Sequence, residues 1–275
     1  MNLGVSTYSF WHFGDEKKPL QYYLERAYAH GFNGVEILEN TLGDVSRSYL
    51  RDVKSKAFSL GLDIYCLSIH NNFVSPSRES RQEEVEKVSR WLEVAHYLGA
   101  KVIRVNSGRW RTLQSFDELM KARGIEPPLP GYTEEDALGW VVESLNTLVP
   151  KAEDLGVILG LENHWGVSRT AENMVRIFNS VNSRYLRAVM DTGNFLERTY
   201  EQFELIAPYT AMVQAKTYFG GGVWYTLSLD YDRIFETLRR AGFKGWISLE
   251  FEGREDYESG VKKSFDLLSK YLGWR

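Results

Sequence analysis

Eight short β-branched runs alternating with eight amphipathic stretches predict a (β/α)8 barrel, built as a single domain over residues 1–275. Two observations carry that prediction. One is a repeated junction in which a helical stretch ends at Gly and a β-branched run follows at once. It occurs at His30-Gly31, Leu60-Gly61, Leu98-Gly99, Leu155-Gly156 and Ala241-Gly242. Gly just past a helix takes the left-handed conformation that closes it, and turns this short feed βα units into a parallel sheet. The other is that the units tile the whole chain. A doubly wound open sheet is the competitor, but no Gly-rich phosphate turn follows an early strand.

In order, strands are expected near 3–7, 34–38, 63–69, 102–106, 157–162, 187–191, 211–216 and 246–252. Helices are expected near 19–30, 46–60, 79–98, 134–155, 170–179, 200–207, 230–241 and 260–272. The third helix is the clearest, with Val85, Val88, Trp91, Leu92, Ala95 and Leu98 at three- and four-residue steps. Thr133-x-x-Asp136 has the form of a capping box opening the fourth.

Composition bounds the function. With 43% hydrophobic and 25% charged residues, the chain is neither disordered nor collagen-like. Lys+Arg of 33 against Asp+Glu of 37 gives a net charge of −4, so bulk charge steers it toward neither nucleic acid nor an acidic membrane. The lone Cys66 excludes a disulfide framework and, lying in an apolar run, reads as buried and inert. No run of apolar residues is long enough for a membrane span, and the first residues do not form a signal peptide. A cytoplasmic location is the expectation.

In a barrel of this kind the active site lies at the C-terminal ends of the strands. Those ends offer Glu36, then His70-Asn71-Asn72, Arg104 with Asn106, Glu162-Asn163-His164-Trp165, Asp191-Thr192-Gly193-Asn194, Gln214-Ala215-Lys216, and Glu250 with Glu252. Glu162, Asp191, Gln214 and Glu250 form a set of oxygen donors for one divalent cation. Three carboxylates and an amide oxygen suit a hard or borderline ion, Mn²⁺ first, with Mg²⁺ and Co²⁺ close behind and Zn²⁺ less suited to a glutamine ligand. The plainer reading is that each acid pairs with a rim Arg or Lys.

The strings Leu161-Glu162-Asn163-His164, Met190-Asp191-Thr192-Gly193-Asn194, Gln214-Ala215-Lys216 and Ser248-Leu249-Glu250-Phe251-Glu252 resemble the motifs of the xylose-isomerase-like TIM barrels. More narrowly, they resemble the sugar (phosphate) isomerase and epimerase group, with its ketose 3-epimerases, hydroxypyruvate isomerase and inosose dehydratase. The resemblance runs from Val5-Ser6-Thr7 to the eighth strand. It implies a divalent metal held by Glu, Asp, His and Glu from strands five to eight. Glu162, Asp191 and Glu250 match that pattern; Gln214 stands where His is usual, and Asn194 where many epimerases have a substrate-contacting His. Association into dimers or tetramers is a further family expectation.

The activity so implied is isomerisation or epimerisation of a keto-sugar or sugar phosphate. A metal chelated by the carbonyl and its neighbouring hydroxyl stabilises an enediolate, while two carboxylates serve as base and acid. Glu162 and Glu250 are the expected pair. His70, Asn106, His164, Asn194, Lys216, Arg109, Trp11 and Trp165 are the expected substrate contacts, with Phe10 beside Trp11 and Trp165 in an apolar wall. Lys216 serves either to stabilise the enediolate or to balance the carboxylates. The long segment 107–132 reads as a lid whose Arg109 and Arg111 clamp a phosphate or carboxylate, or are merely solvated. The Gly-rich segment 218–224 reads as a flexible turn. The same ligands would serve a dehydratase or lyase. An endonuclease IV-like nuclease is disfavoured by a chain with only five histidines and no basic surface, and a non-catalytic sugar-binding barrel by the acids present.

Overall fold

Eight parallel strands pair in chain order: β1 (Asn2–Ser6), β2 (Gly34–Leu38), β3 (Asp63–Ser68), β4 (Val102–Val105), β5 (Ile158–Glu162), β6 (Leu186–Asp191), β7 (Thr210–Thr217) and β8 (Trp246–Phe251). β1 pairs with β8 through Asn2–Trp246 to Val5–Leu249, and the barrel closes. The structure, a computed structural model, describes residues 1–11 and 18–273, and of Trp11 only the backbone. The expected contact of Trp11 therefore lies outside the described side chains.

The helices that cover the strands are α1 (Tyr8–Trp11), α2 (Leu20–Ala29), α3 (Glu39–Leu42), α4 (Arg47–Ser59), α5 (Arg78–Leu98), α6 (Phe116–Lys121), α7 (Glu134–Leu155), α8 (Ala171–Val181), α9 (Thr199–Ile206), α10 (Tyr231–Arg240) and α11 (Tyr257–Ser269). Eight of them match the expected helices. The others, α1, α3 and α6, have four to six residues, too few for periodicity to show. All five junction glycines take left-handed backbone, with φ between 65° and 88°. On α5, Val85, Val88, Leu92, Ala95 and Leu98 are buried, and Trp91 packs half-buried beside them. Thr133 and Asp136 close a reciprocal capping box on α7. No helix among the described residues is long and apolar enough to cross a membrane.

The main core lies between sheet and helices, and a second, smaller cluster fills the bottom of the barrel. There Cys66, Val102, Val189 and Met212 pack with Tyr65, whose ring stacks on Trp246 at 4.3 Å. Strand side chains alternate faces, so the next inward residues toward the mouth are Ser68, Arg104, Asp191, Gln214 and Ser248. Apolar floor gives way to polar mouth in one step of the pleat.

The loops after β4 and β5 meet closely above that mouth. Gly166 has φ 87°, and a Cβ there would lie 2.0 Å from the Gly108 carbonyl oxygen. Gly166→Ala should therefore cost about 1–3 kcal/mol, read as a lower urea midpoint at unchanged slope. An unchanged midpoint would mean that the two loops separate without penalty.

Candidate active site at the barrel mouth

The lowest polar layer is organised by Glu36, which is fully buried on β2. Its carboxyl accepts hydrogen bonds from Ser68 Oγ, from Ser248 Oγ at 2.5 Å and from Gln214 Nε2 at 2.8 Å. Tyr65 braces the layer by donating to Ser248 Oγ at 2.7 Å. Burial and the nearby Glu250 raise the Glu36 carboxyl above its usual range, against the pull of Ser248, Ser68 and Arg104. Sequence places Glu36 at a strand end but assigns it no role. A lone carboxylate inside the apolar run Val35-Glu36-Ile37 was the available signal.

Gln214 donates its other amide hydrogen to Glu250 Oε1 at 3.0 Å, so both donors of the amide are committed and Oε1 is left buried without a partner. Asp191 is similar: Oδ1 accepts from the Gly193 backbone N–H at 2.6 Å, while Oδ2 has no hydrogen-bond partner. Burial raises the Asp191 carboxyl well above its ordinary range, and Lys216 opposes the rise. Asn163 fixes Asp191 in place, its amide exchanging hydrogen bonds of 2.9 and 2.7 Å with the Asp191 backbone. Asn71 does the same for Asn106, at 2.7 and 2.9 Å.

Glu162 is gripped from both sides. Asn194 Nδ2 donates to Oε1 and Asn106 Nδ2 to Oε2, each at 3.0 Å, and Arg104 Nε stands 3.4 Å from Oε2. Burial pushes its carboxyl up to about 7; Arg104 pulls the other way and Glu250 adds to the rise. Lys216 Nζ lies 2.9 Å from Glu250 Oε2, 2.5 Å from Glu252 Oε1 and 3.5 Å from Asp191 Oδ2, above the Tyr8 ring. Burial alone would lower the Lys216 pKa, but Asp191, Glu250 and Glu252 raise it well above its ordinary value. Lys216 therefore stands within ion-pair distance of three carboxylates.

Glu162, Glu250, Glu252, Lys216, Asn194, His70 and His164 line a cavity of about 350 Å³, with Arg104 at its base. Its outer wall is aromatic: Tyr8, Phe116, Trp165, Trp224 and Tyr225. Burial and the cations Arg104 and Lys216 hold His164 well below its ordinary pKa, so it is neutral at neutral pH. Sequence reasoning reached Trp165 but missed Phe116, Trp224 and Tyr225, which sit on loops without periodicity.

Other expectations fall elsewhere. Arg109 turns to the buried Glu126 carboxylate, which also accepts the backbone N–H groups of Arg111 and Leu113 at 3.1 and 3.2 Å. Neither Arg109 nor Arg111 lines the cavity: the Arg109 side chain anchors the 107–132 segment to Glu126, and Arg111 is exposed. Phe10 is buried against His30 and Tyr257 and is absent from the cavity wall. His30 pairs with Glu258 and His96 Nδ1 donates to the Leu155 carbonyl at 2.8 Å, so only His70 and His164 of the described histidines reach the mouth. His12 lies outside the described residues.

The four expected metal donors do gather in one region, yet among the described residues no three His, Cys, Asp or Glu side chains are arranged to hold a metal ion. The chemistry of the set nevertheless suits a hard cation. Two of its oxygens, Asp191 Oδ2 and Gln214 Oε1, are buried without hydrogen-bond partners. Five carboxyl groups, of Glu36, Glu162, Asp191, Glu250 and Glu252, surround two cations, Arg104 and Lys216.

The Glu162 carboxyl leaves a mark on stability. An ordinary glutamate ionises near 4.5, and the folded Glu162 at about 7. Within that interval the native state keeps a proton that the unfolded chain has lost, so stability falls as pH rises and then levels off. In metal-free protein, Glu162→Gln should flatten this fall, leaving the part due to Asp191 and Glu36. Urea midpoints measured across the interval check it; an unaltered slope would contradict the raised carboxyl.

Residues 24–271 match the model of the family described as xylose isomerase-like TIM barrel. Among solved structures, 3-keto-D-glucoside 4-epimerase from E. coli superposes with a TM-score of 0.78 at 19% identity, covering 98% of this chain and 99% of that one. D-psicose 3-epimerase from Clostridium cellulolyticum H10 gives 0.79 at 16% identity, with 99% of each chain covered. The IolI protein, whose structure holds a zinc atom, gives 0.75 at 20% identity, with 99% and 100% covered. The chain therefore belongs to the xylose isomerase-like TIM barrel family.

Proposed function

We propose that this protein is a sugar isomerase or epimerase that moves a proton beside a carbonyl, with Glu162 and Glu250 as the transferring pair and a divalent cation as cofactor. The observation that carries the reading is that these two carboxylates, from β5 and β8, face one cavity in unequal environments. Glu162 has its carboxyl near 7, poised to hold or release a proton at neutral pH, whereas Glu250 is tied to the Lys216 ammonium. The sugar epimerases among the structures of the same shape support the reading.

Glu162 takes or returns the proton on one side of the substrate carbon and Glu250 on the other. Asn106 and Asn194 keep the Glu162 carboxyl aimed while it changes charge, since an amide donor accompanies each oxygen. Lys216 holds Glu250 and Glu252 and limits their repulsion. Neutral His70 or His164 and the amide of Asn194 offer hydrogen bonds to sugar hydroxyls. Glu162, Asp191, Gln214 and Glu250 would hold the cation, which supplies Lewis-acid stabilisation of the negative charge that develops on the substrate oxygens. The aromatic wall excludes water from this floor.

Proton NMR of a keto-sugar panel should show one sugar converted to an isomer or epimer. Glu162→Gln and Glu250→Gln should each lower turnover by at least about 100-fold, the lower range for loss of an acid–base group. Formation of a dehydrated or cleaved product would replace the reading by a lyase on the same residues. Elemental analysis should find about one equivalent of a divalent metal in the wild type and less in Glu250→Gln. Protein that binds no metal after soaking in Mn²⁺ would overturn the cofactor assignment.

A further inference from the structure

The cavity has two unlike halves. Its floor is charged, but every cation there is already matched. Lys216 is held by three carboxylates, and Arg104 pairs with Glu162 at 3.4 Å while one terminal nitrogen donates to the Ile69 carbonyl at 2.8 Å and to Asn106 Oδ1 at 3.1 Å. A phosphate entering it would meet Glu162, Glu250 and Glu252 with no free positive group to receive it. Three arginines, Arg123, Arg169 and Arg198, do converge nearby, but on a separate cavity of about 90 Å³. The two cavities share only Asn194, which donates one amide hydrogen to Glu162 and carries no positive charge.

The outer half is a cluster of rings brought together from three different loops. Phe116, on α6 in the β4 loop, lies between Trp165 of the β5 loop at 4.9 Å and Trp224 of the β7 loop at 4.5 Å. Phe116 is 37% and Trp224 39% exposed, and the two rings are in contact, so their exposed faces adjoin. Exposed apolar rings rimming a concave polar site mark a surface that a ligand covers. The rings stand on loops that follow the strand ends, whereas Glu162 and Glu250 stand on β5 and β8 themselves.

We propose that the site takes an unphosphorylated sugar bearing an apolar ring substituent, a glycoside, with the sugar on the Glu162–Glu250 floor and the substituent against Phe116, Trp165 and Trp224. This rests on the sugar isomerase or epimerase reading for the sugar half alone, with the carbonyl of that reading on a ring carbon other than the anomeric one, which the glycosidic bond closes. The substituent gains by ring stacking and apolar burial, and the phosphate is refused because its charge has no counterpart.

The test is calorimetric binding of the phenyl glycosides, methyl glycosides and 6-phosphates of glucose and galactose to the intact protein. For whichever sugar binds, the phenyl glycoside should be tighter than the methyl glycoside by about three- to tenfold, and the 6-phosphate weaker than either. Phe116→Ala and Trp224→Ala should lower phenyl glycoside affinity more than methyl glycoside affinity, bringing the phenyl preference toward parity. Equal affinity for phenyl and methyl glycosides, or a preference for the 6-phosphate, would overturn the proposal. Binding needs no turnover, so a phenyl preference without sugar conversion would sink only the catalytic reading. Conversion with no phenyl preference would sink only this one.

Discussion

The constraint on which the rest of the site depends is the burial of four carboxyl groups, with a fifth half-buried, around two cations at the mouth of a closed barrel. Water screens them weakly there, so each acid is either raised in pKa, hydrogen-bonded or paired. The three responses are distributed unevenly: Glu36 is bonded to two serines and an amide, Glu162 is raised and capped by two amides, and Glu250 is paired with Lys216. That inequality separates carboxyl groups that sequence alone would treat as equivalents. It also leaves Asp191 Oδ2 and Gln214 Oε1 buried without a hydrogen-bond donor, Oδ2 having only the Lys216 ammonium at 3.5 Å.

The scaffold supplies this arrangement by a simple geometric rule. Side chains on one face of a strand recur every second residue, so Met212, Gln214 and Lys216 climb the inside of β7 from floor to mouth. The pairing of Gln214 with Ser248 and of Lys216 with Glu250 across β7 and β8 puts the amide one layer below the ammonium. Asparagines 71 and 163 tie the ends of neighbouring strands together, which keeps Asn106 and Asp191 from drifting as charges nearby change. The chemistry therefore sits on rigid elements, and the loops contribute the enclosing wall.

Much of this was legible in the sequence because it is periodic. Glycine at five helix-to-strand junctions and β-branched runs between them gave the barrel, and once the barrel is known, strand ends point to Glu162, Asp191, Gln214 and Glu250. What was not legible depends on contacts between residues with no fixed spacing. The turn of Arg109 toward Glu126, 17 residues away in an aperiodic segment, cannot be read from either residue. The orientation of the Gln214 amide follows from Glu36, 178 residues away. The aromatic wall joins three loops whose sequences share no pattern, and α6, which carries Phe116, is only six residues long.

Proton transfer by Glu162 and Glu250 is the centre of the account, and solvent-isotope incorporation examines it most directly. A keto-sugar that the protein binds would be incubated in D₂O with the wild type, with Glu162→Gln and with Glu250→Gln, and deuterium located by NMR. The account predicts deuterium at the carbon beside the carbonyl with the wild type, and its loss when Glu162 or Glu250 is replaced. Product formed by Glu162→Gln and Glu250→Gln at the wild-type rate would contradict it, because the hydrogen would then have moved without either carboxylate.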